Sequence, residues 1–332
     1  MSQESQQAKV LHFPEDRSMG DLHIRNLGDR WDQDGPLEPL GEARGTVTVP
    51  PGKGLALAVS LDASRDLSPL ATLNREDLKW QLSFYGDEST FEVPVPDAEL
   101  VHLRGLTNLR KLDLMRSTQI TDAGVSHLQD LTNLISLNLW LTQITDAGLA
   151  YLAGLTSLQW LGLTNTRITG IGLTHLEGLT NLRALLLGHN TRVTDAALKQ
   201  IRGFTNLQML NLWNVQVTEE GLAHLQSLSS LQDLDLGWIP VTDAGLAHLR
   251  GLTKLEVLNV WRSRITDAGL VHLQGLTNLR DLDLQDTGVT DLGLIHLGGL
   301  IKLRRLNLWG TRVTEAGRTR LEAALPDCKV WF

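Results

Sequence analysis

From Leu106 to the end of the chain, apolar positions return with a fixed rhythm. A leucine, once replaced by phenylalanine, opens the same phrase at 106, 131, 155, 179, 204, 228, 252, 276 and 300, so the period is 24 or 25 residues. One copy reads Leu131-Thr-Asn-Leu134-Ile-Ser-Leu137-Asn-Leu139-Trp-Leu-Thr142-Gln-Ile144-Thr-Asp-Ala-Gly-Leu149-Ala-Tyr-Leu152. Leu137 and Leu139 are two apart and face the same way on a strand. Leu149, Leu152 and Leu155 are three apart and share one helix face. Thr145-Asp146 ahead of that face is an N-cap signal. A Gly (105, 154, 178, 203, 251, 275, 299) closes seven of the nine helical halves, as expected where a helix ends in a left-handed residue. Each unit therefore predicts strand, turn, helix, turn, and no unit can bury its leucines without stacked neighbours.

These phrases resemble leucine-rich repeats of the form L-x-x-L-x-L-x-x-(N/C/T)-x-I. The Ile-Thr-Asp-Ala-Gly-Leu half is similar to the F-box leucine-rich-repeat and ribonuclease-inhibitor-like subtype and to many bacterial arrays. The resemblance covers residues 97–332. It implies an α/β solenoid: a curved horseshoe with a parallel sheet on the concave face and helices on the convex face. Strands pack about 4.8 Å apart and helices about 10 Å, so curvature is expected on physical grounds too. The resemblance also implies protein binding. The ubiquitin-ligase role of F-box relatives is not carried over, because residues 19–60 read as strands rather than as an F-box-like helical segment.

Counting the first leucine of L-x-x-L-x-L as position one, position nine holds Ser117, Thr142, Thr166, Asn190, Val215, Ile239, Ser263, Thr287 and Thr311. The polar members are expected to bond the turn backbone of the adjacent repeat. Val215 and Ile239 interrupt that row, and a local apolar patch is expected there.

The ends break the rhythm. Residues 1–18 are polar and are expected to be disordered. Residues 19–96 are expected to form a β-rich N-terminal cap, with strands at 19–28, 45–50 and 54–60, a loop at Trp31, and a degenerate repeat at Leu82-Ser-Phe84 followed by a helix near 97–104. The repeats proper run over 97–324. Residues 325–332 read as a terminal cap strand, with Trp331 and Phe332 covering the last repeat.

Between the strand leucines, positions five and seven point away from the core. Position seven carries Trp140, Trp213, Trp261 and Trp309, each with Asn at position five: Asn138, Asn211, Asn259 and Asn307. Trp160 and Trp238 take neighbouring outward positions, Tyr85 would extend the row, and Asp235, Asp283, Arg262 and Arg305 share the face. Solvated tryptophan is costly, and exposed apolar patches rich in Trp and Arg mark interfaces. From repeat five onward these Trp/Asn units alternate with Asp/Gly or Asp/Gln units. A comb with teeth about 10 Å apart suits every third side chain of an extended peptide. Duplication of a two-repeat unit, or Trp and Asn stabilising each other across strands, accounts for the same alternation.

Composition narrows the classes. The net charge of −8 argues against general nucleic-acid binding. No apolar run reaches the roughly 18 residues of a membrane span. The start is not a secretory signal, and the single Cys328, expected to be buried and inert, fits a reducing, cytoplasmic compartment. Seven histidines recur at one helix position about 10 Å apart, too far to share a metal. Gly52-Lys53-Gly54 lacks the phosphate-loop frame and reads as a hairpin turn. Asp233, Asp235, Asp281 and Asp283 could in principle do acid–base chemistry, but an open sheet offers no pocket. The expected function is a monomeric, non-catalytic scaffold without metal or cofactor, binding a protein or extended peptide on the concave tryptophan face. A glycan binder using the same tryptophans, and an effector acting through residues 19–96, are the alternatives.

Overall fold

The computed structural model describes residues 8–26, 32, 35–73, 80–84 and 95–332; Trp31, Tyr85 and the tail 1–7 lie outside them. The chain divides into two compact units, residues 1–167 with 178–182, and residues 168–177 with 183–332.

In the first unit the strands are β1 (Lys9–His12), β2 (Gly20–Arg25), β3 (Glu38–Glu42), β4 (Thr46–Val49), β5 (Gly54–Val59), β6 (Trp80–Phe84), β7 (Leu109–Asp113), β8 (Ser136–Asn138) and β9 (Trp160–Gly162). β2 runs antiparallel to both β3 and β5, and β5 through β9 are parallel neighbours. The expected degenerate repeat is β6, with Leu82 and Phe84 buried between β5 and β7. Two expectations fail here. Residues 8–18 are not a disordered tail: β1 pairs with β4, burying Leu11 and Phe13. Gly52 turns the chain at φ +73°, but β4 and β5 belong to different sheets, so the turn is not a hairpin.

The second unit repeats one unit of structure. Strands β10 (Ala184–Leu186), β11 (Met209–Asn211), β12 (Asp233–Asp235), β13 (Val257–Asn259), β14 (Asp281–Asp283), β15 (Arg305–Asn307) and β16 (Lys329–Trp331) are parallel and pair in chain order. Their central residues Leu185, Leu210, Leu234, Leu258, Leu282 and Leu306 are fully buried against the helical halves. This is the leucine-rich-repeat solenoid fold. The helical halves are short, a single α turn such as Asp267–Leu270 running into a 3-10 turn Val271–Leu273. Only the last, Glu315–Ala324, reaches ten residues.

The closing glycines of the helical halves are not left-handed. The left-handed residue is the eighth of each repeat: Arg116, Leu141, Asn165, His189, Asn214, Trp238, Arg262 and Asp286, with Gly310 in the last. There the backbone N–H must reach the next repeat, as from Trp238 to the Trp261 carbonyl at 2.9 Å. A left-handed non-glycine costs about 1 kcal/mol, which this inter-repeat bond offsets.

Position nine also differs from expectation. Thr142, Asn190 and Thr287 donate to the carbonyls of Leu139, Leu187 and Leu284 in their own repeat, three residues back. The Ser117 and Ser263 hydroxyls have no partner among the described residues. Val215 and Ile239 are buried, so the apolar patch expected there is part of the core. At the end of β16, Val330 faces the core beside Leu306, while alternation turns Trp331 to the open face beside Asn307. Trp331 and Phe332 stay exposed and do not cover the last repeat; Leu325 and Cys328 are buried there instead.

Candidate functional site

Two polar systems connect successive repeats. On the helical side, the Thr at the start of most helical halves (Thr145, for instance, accepts from Ala147 N) binds the Asp one repeat earlier. Thr145 N and Oγ1 donate to the two oxygens of Asp122 at 2.8 and 2.6 Å. In the second unit Thr218 binds Asp195, Thr266 binds Asp243, Thr290 binds Asp267 and Thr314 binds Asp291 in the same bidentate way. The bond from Thr314 N holds the Asp291 carboxyl below its usual range. The Gly two residues after the start of the helical half makes room for this carboxylate: a Cβ on Gly269 would lie 2.3 Å from Asp243 Oδ1, and on Gly221 2.1 Å from Asp195 Oδ1. Gly170 breaks the series, and the next repeat answers with Ala197 where the others have Gly.

On the open sheet face the fifth-position residues first serve the backbone. Asn138, Asn211 and Asn307 accept from the N–H of Trp140, Trp213 and Trp309, and Asp235 and Asp283 accept from Gly237 and Gln285. Their outer atoms form a lateral row in the second unit. Asn211 Nδ2 donates to Asp235 Oδ2 at 3.0 Å, Asn259 also bonds Asp235, and Asn307 Nδ2 donates to Asp283 Oδ2 at 3.2 Å. Amide alternates with carboxylate, so no two charges meet along this row. Burial nevertheless raises the carboxyl of Asp235 above its ordinary value, as it does for Asp113 in the first unit.

The tryptophans divide by environment. Trp213 stacks on His189 at 5.0 Å and lies across Gly188, where a Cβ would be 2.3 Å from its ring. Trp261 lies across Gly237, and in the first unit Trp160 lies across Gly162. At Trp213 and Trp261 the Trp–Gly alternation thus has an internal cause, since these rings need a bare neighbour. Trp140 is half-buried. Trp238, Trp309 and Trp331 remain 44, 60 and 40% exposed. Trp238 meets Trp261 edge-on at 5.7 Å, and the Arg262 guanidinium lies 4.6 Å above Trp238 while pairing with Asp286 at 3.2 Å. Arg305 pairs with Asp281.

The carboxylates are not equivalent. Asp233 is pushed up to about 6, first by burial and then by the charges of Asp235 and Asp281. On β12 its lateral neighbours are Met209 and Val257. Among the described residues no group of His, Cys, Asp and Glu is arranged to hold a metal ion, and no helix is long and apolar enough to cross a membrane. Burial raises the Cys328 thiol to about 11, which keeps it protonated and unreactive.

A second exposed apolar patch went unnoticed in the sequence. Leu292, Ile295 and Ile301 stand on the helical side, Leu292 and Ile295 beside a groove of about 440 Å³ that Gly298, Leu321 and Ala324 also line. The signal was available: Leu292 stands where six other repeats carry Ala, and Ile301 where the others carry Thr or Ser.

Comparison with known proteins agrees with this architecture. A family model described as Leucine rich repeat matches residues 107–168 and 156–214, and another of the same description matches 275–298. The solved structures it resembles include an internalin (inlF) of Listeria monocytogenes, at 24% identity over 83% of this chain and 85% of that one, with a TM-score of 0.57. Internalin C2 (inlC2) of the same organism matches at 28% identity over 66% and 84%, with a TM-score of 0.50. A chain of the mouse RP105/MD-1 complex matches at 19% identity over 78% and 43%, with a TM-score of 0.53. No curated protein sequence matches the chain.

Proposed function

We propose that this chain of leucine-rich repeats is a non-catalytic interaction scaffold, acting as a monomer without cofactor, whose open sheet face docks a partner protein or an extended peptide segment. The observation that carries this reading is the exposure of Trp238, Trp309 and Trp331 on one face of the second unit. Large aromatic side chains left in water are the groups most able to supply binding energy. Trp213 and Trp261, packed on glycines, form a rigid floor beside them, so little order must be gained on binding. The similarity to a chain crystallised in the RP105/MD-1 complex is in keeping with this role. Two carboxylates of the face, Asp235 and Asp283, are committed to turn N–H groups and Asn amides rather than free for a paired acid–base role.

The test is differential affinity capture from lysate of the source cell, with wild type and a Trp238→Ala/Trp309→Ala variant as baits and circular dichroism to confirm folding. Proteins retained by the wild type and lost with the variant are the expected result. Identical catches would sink the reading of this face and move attention to Leu292 and Ile295. Binding to soluble oligosaccharides on a glycan array, with no protein captured, would favour the carbohydrate alternative.

A further inference from the structure

The sequence Asp-Leu-Asp occurs twice at equivalent positions, as Asp233-Leu234-Asp235 on β12 and Asp281-Leu282-Asp283 on β14. The second Asp of each has the same partners, a turn N–H and an Asn amide. The first Asp does not. On β14, Asp281 lies beside Arg305 of the next strand and pairs with it. On β12 the next strand offers Val257, the previous one Met209, and among the described residues the Asp233 carboxylate has neither a hydrogen bond nor an ion pair. Nearby cations are committed elsewhere: Arg262 to Asp286, Arg280 to Glu256, Arg305 to Asp281. The fold does not require acid at this position, which is Ser136, Ala184, Met209 or Val257 in other repeats. An unpaired, half-buried carboxylate therefore costs stability without structural return. Four residues further along the same strands, about 13 Å away at the strand rise, stands an aromatic pair that accepts a guanidinium, since Arg262 lies over both Trp238 and Trp261.

We infer that the open face of β12–β14 docks a cationic segment of the partner, with an Arg or Lys side chain occupying beside Asp233 the place that Arg305 occupies beside Asp281. The inference rests on the scaffold reading and adds the chemistry of the partner to it. The charge complementarity is local: Asp233, Asp235 and Asp283 lack a neighbouring cation, and the tryptophans stand further along the same face, so the face selects a basic segment that also carries apolar residues.

The test selects a displayed random library of roughly 12-residue peptides on the full-length chain, then compares baits carrying wild type, Asp233→Asn and Trp238→Ala/Trp309→Ala. Wild type is expected to enrich Arg or Lys. A synthetic peptide from that set should bind Asp233→Asn about ten-fold more weakly, although this variant melts no lower than wild type. Asp233→Lys should prefer the same peptide with Glu in place of its basic residue. An absence of binders, acidic or purely apolar selections, or affinity for Asp233→Asn within about two-fold of wild type would overturn the inference. If the tryptophan-dependent capture succeeds while this selection fails, docking on the face stands and its cationic chemistry falls. If the capture fails too, both fall.

Discussion

The two lateral systems of the second unit use the same residue, aspartate, to opposite ends. Along the helical side every Asp from 195 to 291, apart from the Glu219 variant that reaches Thr242, binds its Thr through both oxygens and lies against a glycine. That row is closed: its donors and acceptors are consumed within the fold. Along the sheet face the row is closed only at position five. At position three, Asp281 is paired and Asp233 is not. The difference separates the side chains that hold repeats together from those the fold leaves available.

The largest effect expected from breaking the comparison is on the closed side. Gly269→Ala drives a methyl into Asp243 Oδ1, which cannot retreat without losing Thr266. It should cost about 1–3 kcal/mol in urea unfolding. Adding Asp243→Gly, which reproduces the natural pair Gly170 and Ala197, should recover part of that loss. A strictly additive double variant would show that the glycine is there for another reason.

A smaller effect of opposite sign is expected at Asp233. Its folded-state pKa, about 6, lies above the ordinary aspartate value of 3.8. The native state therefore binds the proton more tightly than the unfolded chain between those values, and the associated stability is present below about 4 and lost as pH rises through about 6. Asp233→Asn should raise the melting temperature at pH 7.5 and flatten the wild-type decline between pH 4 and pH 7. An unchanged pH profile would mean that Asp233 is not destabilised by its surroundings. The smallest effect belongs to Trp309→Ala. At 60% exposure the ring contributes little to the core, and the expected cost is within about 0.5 kcal/mol. A larger loss in thermal melting would assign this tryptophan to packing rather than to a partner.

Much of this molecule is legible in its sequence because the information is local. The two-residue spacing of Leu234 and Leu236 and the three-residue spacing of Leu246, Leu249 and Leu252 place strand and helix within one unit, and the 24-residue period requires stacking. The same alternation by itself puts Trp213, Trp261 and Trp309 on the open face. What the tertiary structure alone decided lies between units. The carboxylate that needs Gly269 is in another repeat, 26 positions away, and only the paired exception Gly170 and Ala197 hints at it in the sequence. The left-handed residue sits at position eight because its N–H must reach the next repeat, which no property of Trp238 or Arg262 foretells. The pairing of β1 with β4 joins segments whose local pattern names no partner. Asp233 and Asp281 are identical in their own strands and differ only through Val257 and Arg305 on the strands beside them. Periodicity sets which way a side chain points, but what it meets is set by a neighbour a full repeat away.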